Sequence, residues 1–462
     1  MTGEIALKAI EEGRAKFEDL SYHLWANPEP AYREYIASET CIKALEEAGF
    51  AIEKAVGGVP TAFKATYGSG SPVIALLAEY DALPGLSQKA VSHKEPVEGQ
   101  SCGHGCGHCL MAGANVAAAV GIKAEMEAKN LPGTLVFLGC PAEEQLTGKV
   151  FMARGHAFDG LDIALSYHPL FTTEVSVGNS SAMNTAKFHF KGRTAHAGGD
   201  PHNGRSALDA VELMNVGANY LREHVTSDVR IHYTITEGGT APNIVPDKAC
   251  VWYYVRAMRR EAVEDVYARL VKVAKGAAMM TETEVEIEFL GGCYNTMPNI
   301  VLAELLTDTM KENPMEPWTE EEKKFAHEMN VQSGSQWAVM CRANGVPEGT
   351  DLFEGVCPIN YASGYGSTDV GDVQHICPTT MLNTTSANLG SPGHSWQITA
   401  CSGMSIGQKG MVYAAKIMAV AGLKILEDPS IAEKAKAEFD EKMAGKSYKC
   451  PMPEDVPVPY TK

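Results

Sequence analysis

The sequence predicts an α/β protein with a central mixed sheet covered by helices, into which a smaller α+β, ferredoxin-like domain is inserted. In the first 180 residues, unbroken apolar segments alternate with helical patterns, as in a sheet covered on both faces. Between residues 181 and 293 apolar and polar residues alternate one by one, which is typical of strands with one exposed face. At 462 residues, the chain is too long for one hydrophobic core.

Helices and strands alternate in the first part of the chain. One amphipathic helix is predicted over residues 3–26, before Pro28, and a second over 35–48, ending at Gly49. Four apolar segments are predicted as strands: TAFKATYG (61–68), PVIALLAEY (72–80), TLVFLGC (134–140) and DIALSYH (162–168). A helix of small residues, about 109–128, lies between the second and third strands. This order predicts an open sheet with helices on both faces.

The inserted domain is predicted from the order of its elements. A helix at 207–221 follows the first strand, and a helix near 260–279 precedes the last. The strands are SAMNTAKFHF (181–190), VRIHYTIT (229–236), ACVWYYVR (249–256) and TEVEIEFL (283–290). The order β-α-β-β-α-β is the split-βαβ arrangement. We therefore expect a main domain of residues 1–180 and 294–462, and an insertion at 181–293.

The residue pattern of the last part of the chain resembles that of the first part. A charged helical segment around 315–330 leads into a stretch rich in Gly, Ser and Thr at 363–400, and a closing helix spans about 403–426. The main domain is thus expected to be built from both ends of the chain.

Composition argues against several classes of protein. The 39 basic and 57 acidic residues give a net charge of −18, which disfavours nucleic acid as a partner. No apolar run approaches the roughly 20 residues that cross a membrane, and the N-terminus lacks the features of a secretory signal. The twelve cysteines are mostly scattered and are expected to be reduced thiols. We therefore expect a cytoplasmic protein without a membrane partner.

The segment SCGHGCGHCLMAGAN (101–115) is the most specific chemical signal. Its thiols and imidazoles suit borderline-soft divalent metals such as zinc, and manganese where oxygen ligands are added. The glycines let a loop turn tightly, and the helix that follows favours a thiolate at its N-terminus. The alternative interpretation is a glycine-rich turn with incidental buried thiols.

Further candidates lie at predicted strand ends. Asp81 follows the second strand, Glu143 and Glu144 follow the third, and His168 ends the fourth. In open α/β sheets, ligand sites gather at the carboxyl ends of strands. His394 lies far downstream, in a loop with Gly and Pro. Each residue alone is more often structural, and it is their joint arrangement that indicates a metal site.

The chain resembles one family through eight motifs in order: EYDALPGL (79–86), HGCGH (104–108), PAEE (141–144), SYHP (166–169), GRTAHA (192–197), TAPNIVPD (240–247), STDVGDV (367–373) and PGHSW (392–396). This is the metallopeptidase family of aminoacylases, carboxypeptidases and hippurate hydrolases. Within it, the chain is similar to the aminobenzoyl-glutamate hydrolase branch, particularly the B-type chains of that branch. The resemblance covers about residues 15–430.

The resemblance implies a dinuclear centre of two divalent ions, zinc or manganese, and an inserted lid domain that usually forms a homodimer. It implies five metal ligands: Cys106, His108, Glu144, His168 and His394. It also implies Glu143 as general base, Asp81 as a residue that orients a ligand, and His196 as an oxyanion-stabilising group that reaches a partner's active site. Asn243 and Arg256 match positions that hold the substrate's carboxylate.

Three features depart from the family's pattern. Cys109 stands where the family has Asp or Asn, Cys102 adds a thiol, and residues 87–100 lengthen the approach to the metal loop. These changes are expected to tune metal preference or to alter the pocket, and they leave the five matched ligands intact.

The resemblance implies a metal-dependent amidohydrolase acting on a small-molecule amide such as aminobenzoyl-glutamate. The alternatives are a dipeptidase, a hydrolase of aromatic-amide conjugates, a catalytically silent or regulatory chain, and a subunit that is active only with a partner chain. A redox role for the cysteine cluster is disfavoured because histidines lie between its cysteines.

Overall fold

The computed structural model describes residues 2–459. Its strands are β1 (Ala51–Lys54), β2 (Phe63–Ser69), β3 (Val73–Glu79), β4 (Leu83–Pro84), β5 (Cys102–Gly103), β6 (Gly133–Cys140), β7 (Ile163–Leu170), β8 (Glu174–Val175), β9 (Ala182–Lys191), β10 (Arg230–Glu237), β11 (Lys248–Ala257), β12 (Glu284–Cys293) and β13 (Thr379–Thr385).

The helices surround these strands in two groups. In chain order they are α1 (Glu4–Glu12), α2 (Arg14–Ala26), α3 (Tyr35–Glu47), α4 (His108–Lys129), α5 (Gly148–Arg154), α6 (Ala207–Leu221), α7 (Arg260–Thr281), α8 (Ile300–Glu312), α9 (Glu320–Gln332), α10 (Ser335–Ala343), α11 (Val370–Gln374), α12 (Trp396–Ser402), α13 (Ser405–Glu427) and α14 (Ser430–Met443).

The larger sheet has seven strands in the order β1-β2-β6-β3-β7-β13-β8. Its four central strands β6, β3, β7 and β13 run parallel, whereas β1, β2 and β8 are antiparallel to their neighbours. Leu76 pairs with Phe137 on one side and with Leu165 on the other, and all three are buried. The predicted mixed sheet covered by helices is confirmed, and strands from both ends of the chain build it.

The smaller sheet is antiparallel, with strand order β10-β11-β9-β12, and spans residues 182–293, which we name the lid. One face packs against α6 and α7 through a core that includes Phe188, Val251 and Val255. The predicted α+β insertion with its β-α-β-β-α-β order is therefore confirmed.

Helix α4 is the centre of the main core. It packs against the sheet and against α1, α2 and α13, so its residues from Cys109 to Met126 are mostly buried. It is the one helix of residues 2–459 that is long and apolar enough to cross a membrane, but 83% of the tested segment is buried inside the protein. This burial is typical of a core helix.

One sequence prediction needs correction, and one central strand is not predicted from the sequence. The helix expected over 3–26 is two helices, α1 and α2, divided at Gly13, which has a low helix propensity. The stretch 363–400 contains the buried strand β13, which the sequence does not indicate because its residues, TTMLNTT, are mostly polar. Its hydroxyls are satisfied in the fold, for example by Thr380 Oγ1 donating to Asn299 O at 2.6 Å.

Candidate metal centre

The candidate site lies at the edge of the large sheet where its parallel strands end. Glu79 is the last residue of β3, and Asp81 lies two residues beyond it. Glu143 and Glu144 follow β6, and His168 lies near the end of β7. Because these strands are parallel and adjacent, their carboxyl ends bring the five side chains to one place.

The loop before α4 supplies a thiol and an imidazole. Cys106 precedes the helix and His108 is its first residue. Gly107 between them has φ +79°, and a Cβ there would lie 2.6 Å from Pro169, so the turn requires glycine. Cys106 Sγ lies 3.2 Å from His168 Nε2.

The side chains form three overlapping groups. Within each group, the atoms that could bind a metal all lie within 4.8 Å of one another. The groups share members, so that Cys106 and His108 each belong to two of them. They are Cys106 with His108 and His168, Cys106 with Glu144 and His394, and Glu79 with His108 and Glu143. Thiolate, imidazole and carboxylate together form a donor set suited to zinc or to another borderline divalent ion.

Two atoms in this cluster are buried without a hydrogen-bond partner within residues 2–459: His108 Nε2 and Glu144 Oε1. They lie 4.0 Å apart. Buried polar atoms in native proteins are nearly always satisfied, so two such atoms facing each other indicate a missing common partner. A divalent cation fits both, because each atom offers a lone pair.

Asp81 contacts two residues of the cluster, His108 and Glu144. His108 Nδ1 lies 2.9 Å from Asp81 Oδ1, and the Glu144 backbone N–H donates to Asp81 Oδ2 at 2.9 Å. Burial acts to raise the pKa of Asp81, but the hydrogen bond from His108 holds it below its usual value. A carboxylate on one imidazole nitrogen leaves the other free for a metal.

Glu143 is buried, and its Oε2 lies 4.0 Å from His108 Nε2. Burial, followed by the negative charges of Glu79 and Asp369, raises the pKa of Glu143 well above its usual value. A carboxylate with a raised pKa is suited to general-base catalysis near neutral pH. The family resemblance identifies this residue in the sequence, and the structure shows that it is buried beside His108.

Glu34 fixes the loop that carries Glu143. Its Oε1 accepts hydrogen bonds from the backbone N–H groups of Tyr32, at 2.9 Å, and Ala142, at 2.8 Å. Its Oε2 accepts from Thr61 Oγ1 at 2.9 Å. Ala142 has φ +58°, so this carboxylate stabilises a strained turn directly before Glu143. No sequence pattern marks Glu34, and it is absent from the predicted site residues.

His394 also belongs to the cluster. It lies between β13 and α12 with φ +49°, and its Nε2 is 3.5 Å from Glu144 Oε2. Its side chain is 59% exposed, whereas that of His108 is fully buried. The cluster is therefore open to solvent on the side of His394.

Two buried charged residues, Glu79 in the cluster and Lys149 beside it, are not among the predicted site residues. Lys149 is fully buried, and its Nζ lies 2.5 Å from Glu79 Oε1 and 2.6 Å from Asp369 Oδ1. The other oxygen of Glu79 lies 3.4 Å from His108 Nε2. Glu79 is the last residue of a buried strand, and Asp81 lies two residues beyond it. The position of Glu79 at the end of a strand is therefore a signal that could have identified it in the sequence.

The lid residues are placed differently. His196 and Asn243 are exposed, and within residues 2–459 their contacts lie in lid loops: His196 Nδ1 accepts from Gly199 N at 2.9 Å, and Asn243 O accepts from Ala197 N at 3.0 Å. Arg256 instead faces the main domain, donating through Nη1 to Ser367 Oγ at 3.1 Å. The structure thus brings together Asp81, Cys106, His108, Glu143, Glu144, His168 and His394, and leaves His196 and Asn243 apart from them within one chain.

The additional thiols are not part of the cluster. Cys102 and Cys109 are buried, and neither belongs to a ligand group within the described residues 2–459. Burial raises the pKa of Cys109 to about 12, which keeps this thiol neutral. All twelve cysteines are free. These observations favour a packing role for Cys109 and give no support to a disulfide in the metal loop.

Comparison with known proteins places this chain in a family. A profile for the peptidase dimerisation domain matches residues 180–279. The B chain of the p-aminobenzoyl-glutamate hydrolase of Escherichia coli (strain K12) is 38% identical over 471 residues, covering 97% of this chain and 97% of its own. The Xaa-Arg dipeptidase of Mus musculus is 28% identical over 457 residues, covering 95% of this chain and 92% of its own.

A solved structure shares the fold. A dinuclear metal-binding peptidase of the M20 family from Bacillus subtilis superposes with a TM-score of 0.59 at 17% identity, covering 90% of this chain and 99% of that chain. The resemblance and the enzyme class expected from the motifs are confirmed by the full-length relative. The chain belongs to the M20 family of metal-dependent peptidases and amidohydrolases.

Proposed function

We propose that the chain hydrolyses the amide bond of an N-acyl amino acid of the p-aminobenzoyl-glutamate type. The observation that supports this most is the pair of unsatisfied buried atoms, His108 Nε2 and Glu144 Oε1, inside a cluster of thiol, imidazole and carboxylate groups. The name of the full-length bacterial relative supports the substrate class.

Five residues are proposed to hold two divalent ions, zinc or manganese: Cys106, His108, Glu144, His168 and His394. Such ions lower the pKa of a water molecule and polarise an amide carbonyl. In this proposal Glu143 accepts the proton of the attacking water and passes it to the leaving nitrogen. Asp81 orients His108, while Asn243 and Arg256 bind the carboxylate of the substrate.

His196 is proposed to act across a homodimer. It lies apart from the cluster in its own chain, and the lid matches a peptidase dimerisation domain. The lid also exposes apolar side chains on two helices, including Val216 and Tyr220 on α6 and Met279 and Met280 on α7. A second copy on this surface would bury them and bring a histidine to the oxyanion of the neighbouring site.

Two further assignments belong to the proposal. The bacterial relative is named as one of the subunits of its enzyme, which supports a partner chain for full activity. A cytoplasmic location suits twelve unpaired cysteines, because reducing compartments keep thiols free. The second candidate function is a dipeptidase, which is supported by the mouse relative.

Elemental analysis of the purified chain, followed by assays with N-(4-aminobenzoyl)-L-glutamate and added zinc or manganese, tests the proposal. We expect two metal ions per chain and metal-dependent release of glutamate. Bound metal with cleavage of dipeptides alone would favour the dipeptidase. A chain that neither binds metal nor is activated by it would contradict the proposed metal-dependent hydrolysis.

A further inference from the structure

Two arginines of the lid face the same loop of the main domain. Arg230 in β10 and Arg256 in β11 are direct partners in the antiparallel pair, so their side chains lie on the same face of the sheet. Their neighbours Ile231 and Val255 belong to the core beneath α6 and α7. Because side chains alternate along a strand, both arginines point away from these helices.

Both guanidinium groups contact Tyr365. Arg230 Cζ lies 4.4 Å from the centre of the Tyr365 ring, and Arg256 Nη1 donates to the Tyr365 carbonyl oxygen at 3.5 Å. His232 lies on the same face, and the pKa of its imidazole is lowered by burial and then by the charges of Arg256 and Arg222. The lid and the loop therefore hold two positive side chains close together.

Neither arginine has an acidic partner in the part of the chain that the structure describes. Within residues 2–459, no ion pair involves Arg230 or Arg256, and Arg256 Nε is buried without a hydrogen-bond partner. An unsatisfied buried donor costs about 1–3 kcal/mol, and more when it is charged. In a chain with a net charge of −18, two adjacent cations without a carboxylate indicate a site for an anion from outside the chain.

A chain of contacts, mostly through buried residues, leads from Arg256 towards the metal cluster. Ser367, which accepts a hydrogen bond from Arg256, lies two residues before Asp369. Asp369 contacts Lys149, and Lys149 contacts Glu79 beside His108. Contacts through Ser367, Asp369, Lys149 and Glu79 thus link Arg256 to the candidate site.

We propose that Arg230 and Arg256 together select a dicarboxylic leaving amino acid, glutamate or aspartate. Arg256 binds the α-carboxylate, and Arg230 binds the carboxylate of the side chain. This inference rests on the proposed function and deepens it, because it assigns Arg230 as a specificity-determining residue. The same pair of charges repels a basic leaving residue, so an arginine-terminated dipeptide is a poor substrate for this chain.

The variant Arg230→Gln tests this assignment with two substrates of nearly equal shape, N-(4-aminobenzoyl)-L-glutamate and N-(4-aminobenzoyl)-L-glutamine. We expect kcat/KM for the glutamate compound to fall about 10- to 100-fold, mainly through KM, since one charge-assisted hydrogen-bond pair is lost. The value for the glutamine compound should stay within about twofold. Lys187→Gln is the matched control, because it removes a charge beside Trp252, four residues along the strand from Arg256.

Equilibrium binding of both compounds to the metal-loaded Glu143→Gln variant, with and without Arg230→Gln, gives a second readout that does not depend on turnover. Equal losses for the two compounds, or no loss, would overturn the role of Arg230. Wild-type cleavage of both compounds without preference for glutamate would also overturn it, while leaving the amidohydrolase proposal intact. Selective binding that requires Arg230, without hydrolysis by the metal-loaded wild type, would contradict the proposed function alone.

Discussion

Lys149 Nζ lies 2.5 Å from Glu79 Oε1, and both side chains are buried. Asp369 contacts the same ammonium group, so one lysine forms ion pairs with two carboxylates inside the main domain. The second oxygen of Glu79 lies 3.4 Å from His108 Nε2. The lysine therefore fixes a carboxylate beside a proposed metal ligand.

Replacement of Lys149 by methionine is expected to lower the free energy of unfolding by about 3–5 kcal/mol, because it leaves two buried carboxylates without their cation. Urea unfolding measures the change. Adding Glu79→Gln and Asp369→Asn to the same chain removes both negative charges, and this triple variant should recover part of the loss. A single variant as stable as the wild type would show that the ion pairs are not important for stability.

Glu143→Gln is expected to lower kcat by about 10²–10⁴-fold, because an amide cannot accept the proton of the attacking water. Metal content should be unchanged, since the substitution keeps the shape of the side chain and removes none of the five proposed ligands. Metal content by elemental analysis and initial rates on aminobenzoyl-glutamate are the two measurements. A variant with wild-type kcat would remove Glu143 from the proposed mechanism.

His168→Ala is expected to lose bound metal together with activity, because it removes a proposed ligand that lies 3.2 Å from Cys106 Sγ. Cys109→Ser is the matched control in the same region. Cys109 belongs to no ligand group among residues 2–459, so this variant should retain its metal. Titration against a chromophoric chelator gives both affinities. The assignment fails if the cysteine variant, rather than the histidine variant, releases the metal.

Asp372 predicts a pH dependence of stability. Burial raises its pKa from 3.8 to about 7, although Tyr294 N–H and the Tyr448 hydroxyl donate hydrogen bonds to it. Between these values the folded protein retains a proton that the unfolded chain releases. The free energy of unfolding therefore falls as pH rises through this interval, by up to about 1.4 kcal/mol per unit from this group.

Asp372→Asn removes that titration and keeps a neutral side chain of the same shape. The stability of the variant relative to the wild type should therefore be greater at about pH 8 than at about pH 5. Urea unfolding of both proteins at the two pH values measures the difference. A constant difference would mean that Asp372 has an ordinary pKa in the folded protein.

Tyr220→Glu is expected to shift the chain from dimer to monomer, because it places a charge on the exposed apolar surface of α6. Tyr220 is 74% exposed in the single chain, so the fold itself should be retained. Sedimentation velocity gives the oligomeric state, and circular dichroism checks the fold. If His196 acts across the dimer, activity should fall with dissociation. A dimer that persists would place the interface elsewhere.

The sequence predicts much of this architecture because most of its strands carry apolar side chains. Strands β3, β6 and β7 are recognisable as unbroken apolar runs, and their ends place Asp81, Glu143 and His168 at one edge. Strand β13 cannot be predicted in this way, since its polar side chains become compatible with burial only through hydrogen bonds that the folded protein supplies.

The ion pairs of Lys149 cannot be predicted from the sequence, for a related physical reason. Residues 79, 149 and 369 are far apart in the chain, and a single charged residue carries no periodic pattern that marks it as buried. The two arginines of the lid differ in how far the sequence identifies them. Arg256 is identified through the family resemblance, whereas Arg230 becomes informative only when strand pairing places it opposite Arg256.

The packing of α4 against α13 has a consequence for biosynthesis. The lid sheet is complete once residue 293 has left the ribosome, whereas the apolar surface of α4 waits for a helix that begins at Ser405. At normal translation rates, synthesis from the end of α4 at Lys129 to the end of α13 at Glu427 takes roughly 15–60 s. We therefore expect the nascent main domain to need sheltering by chaperones, while the nascent lid folds without such help.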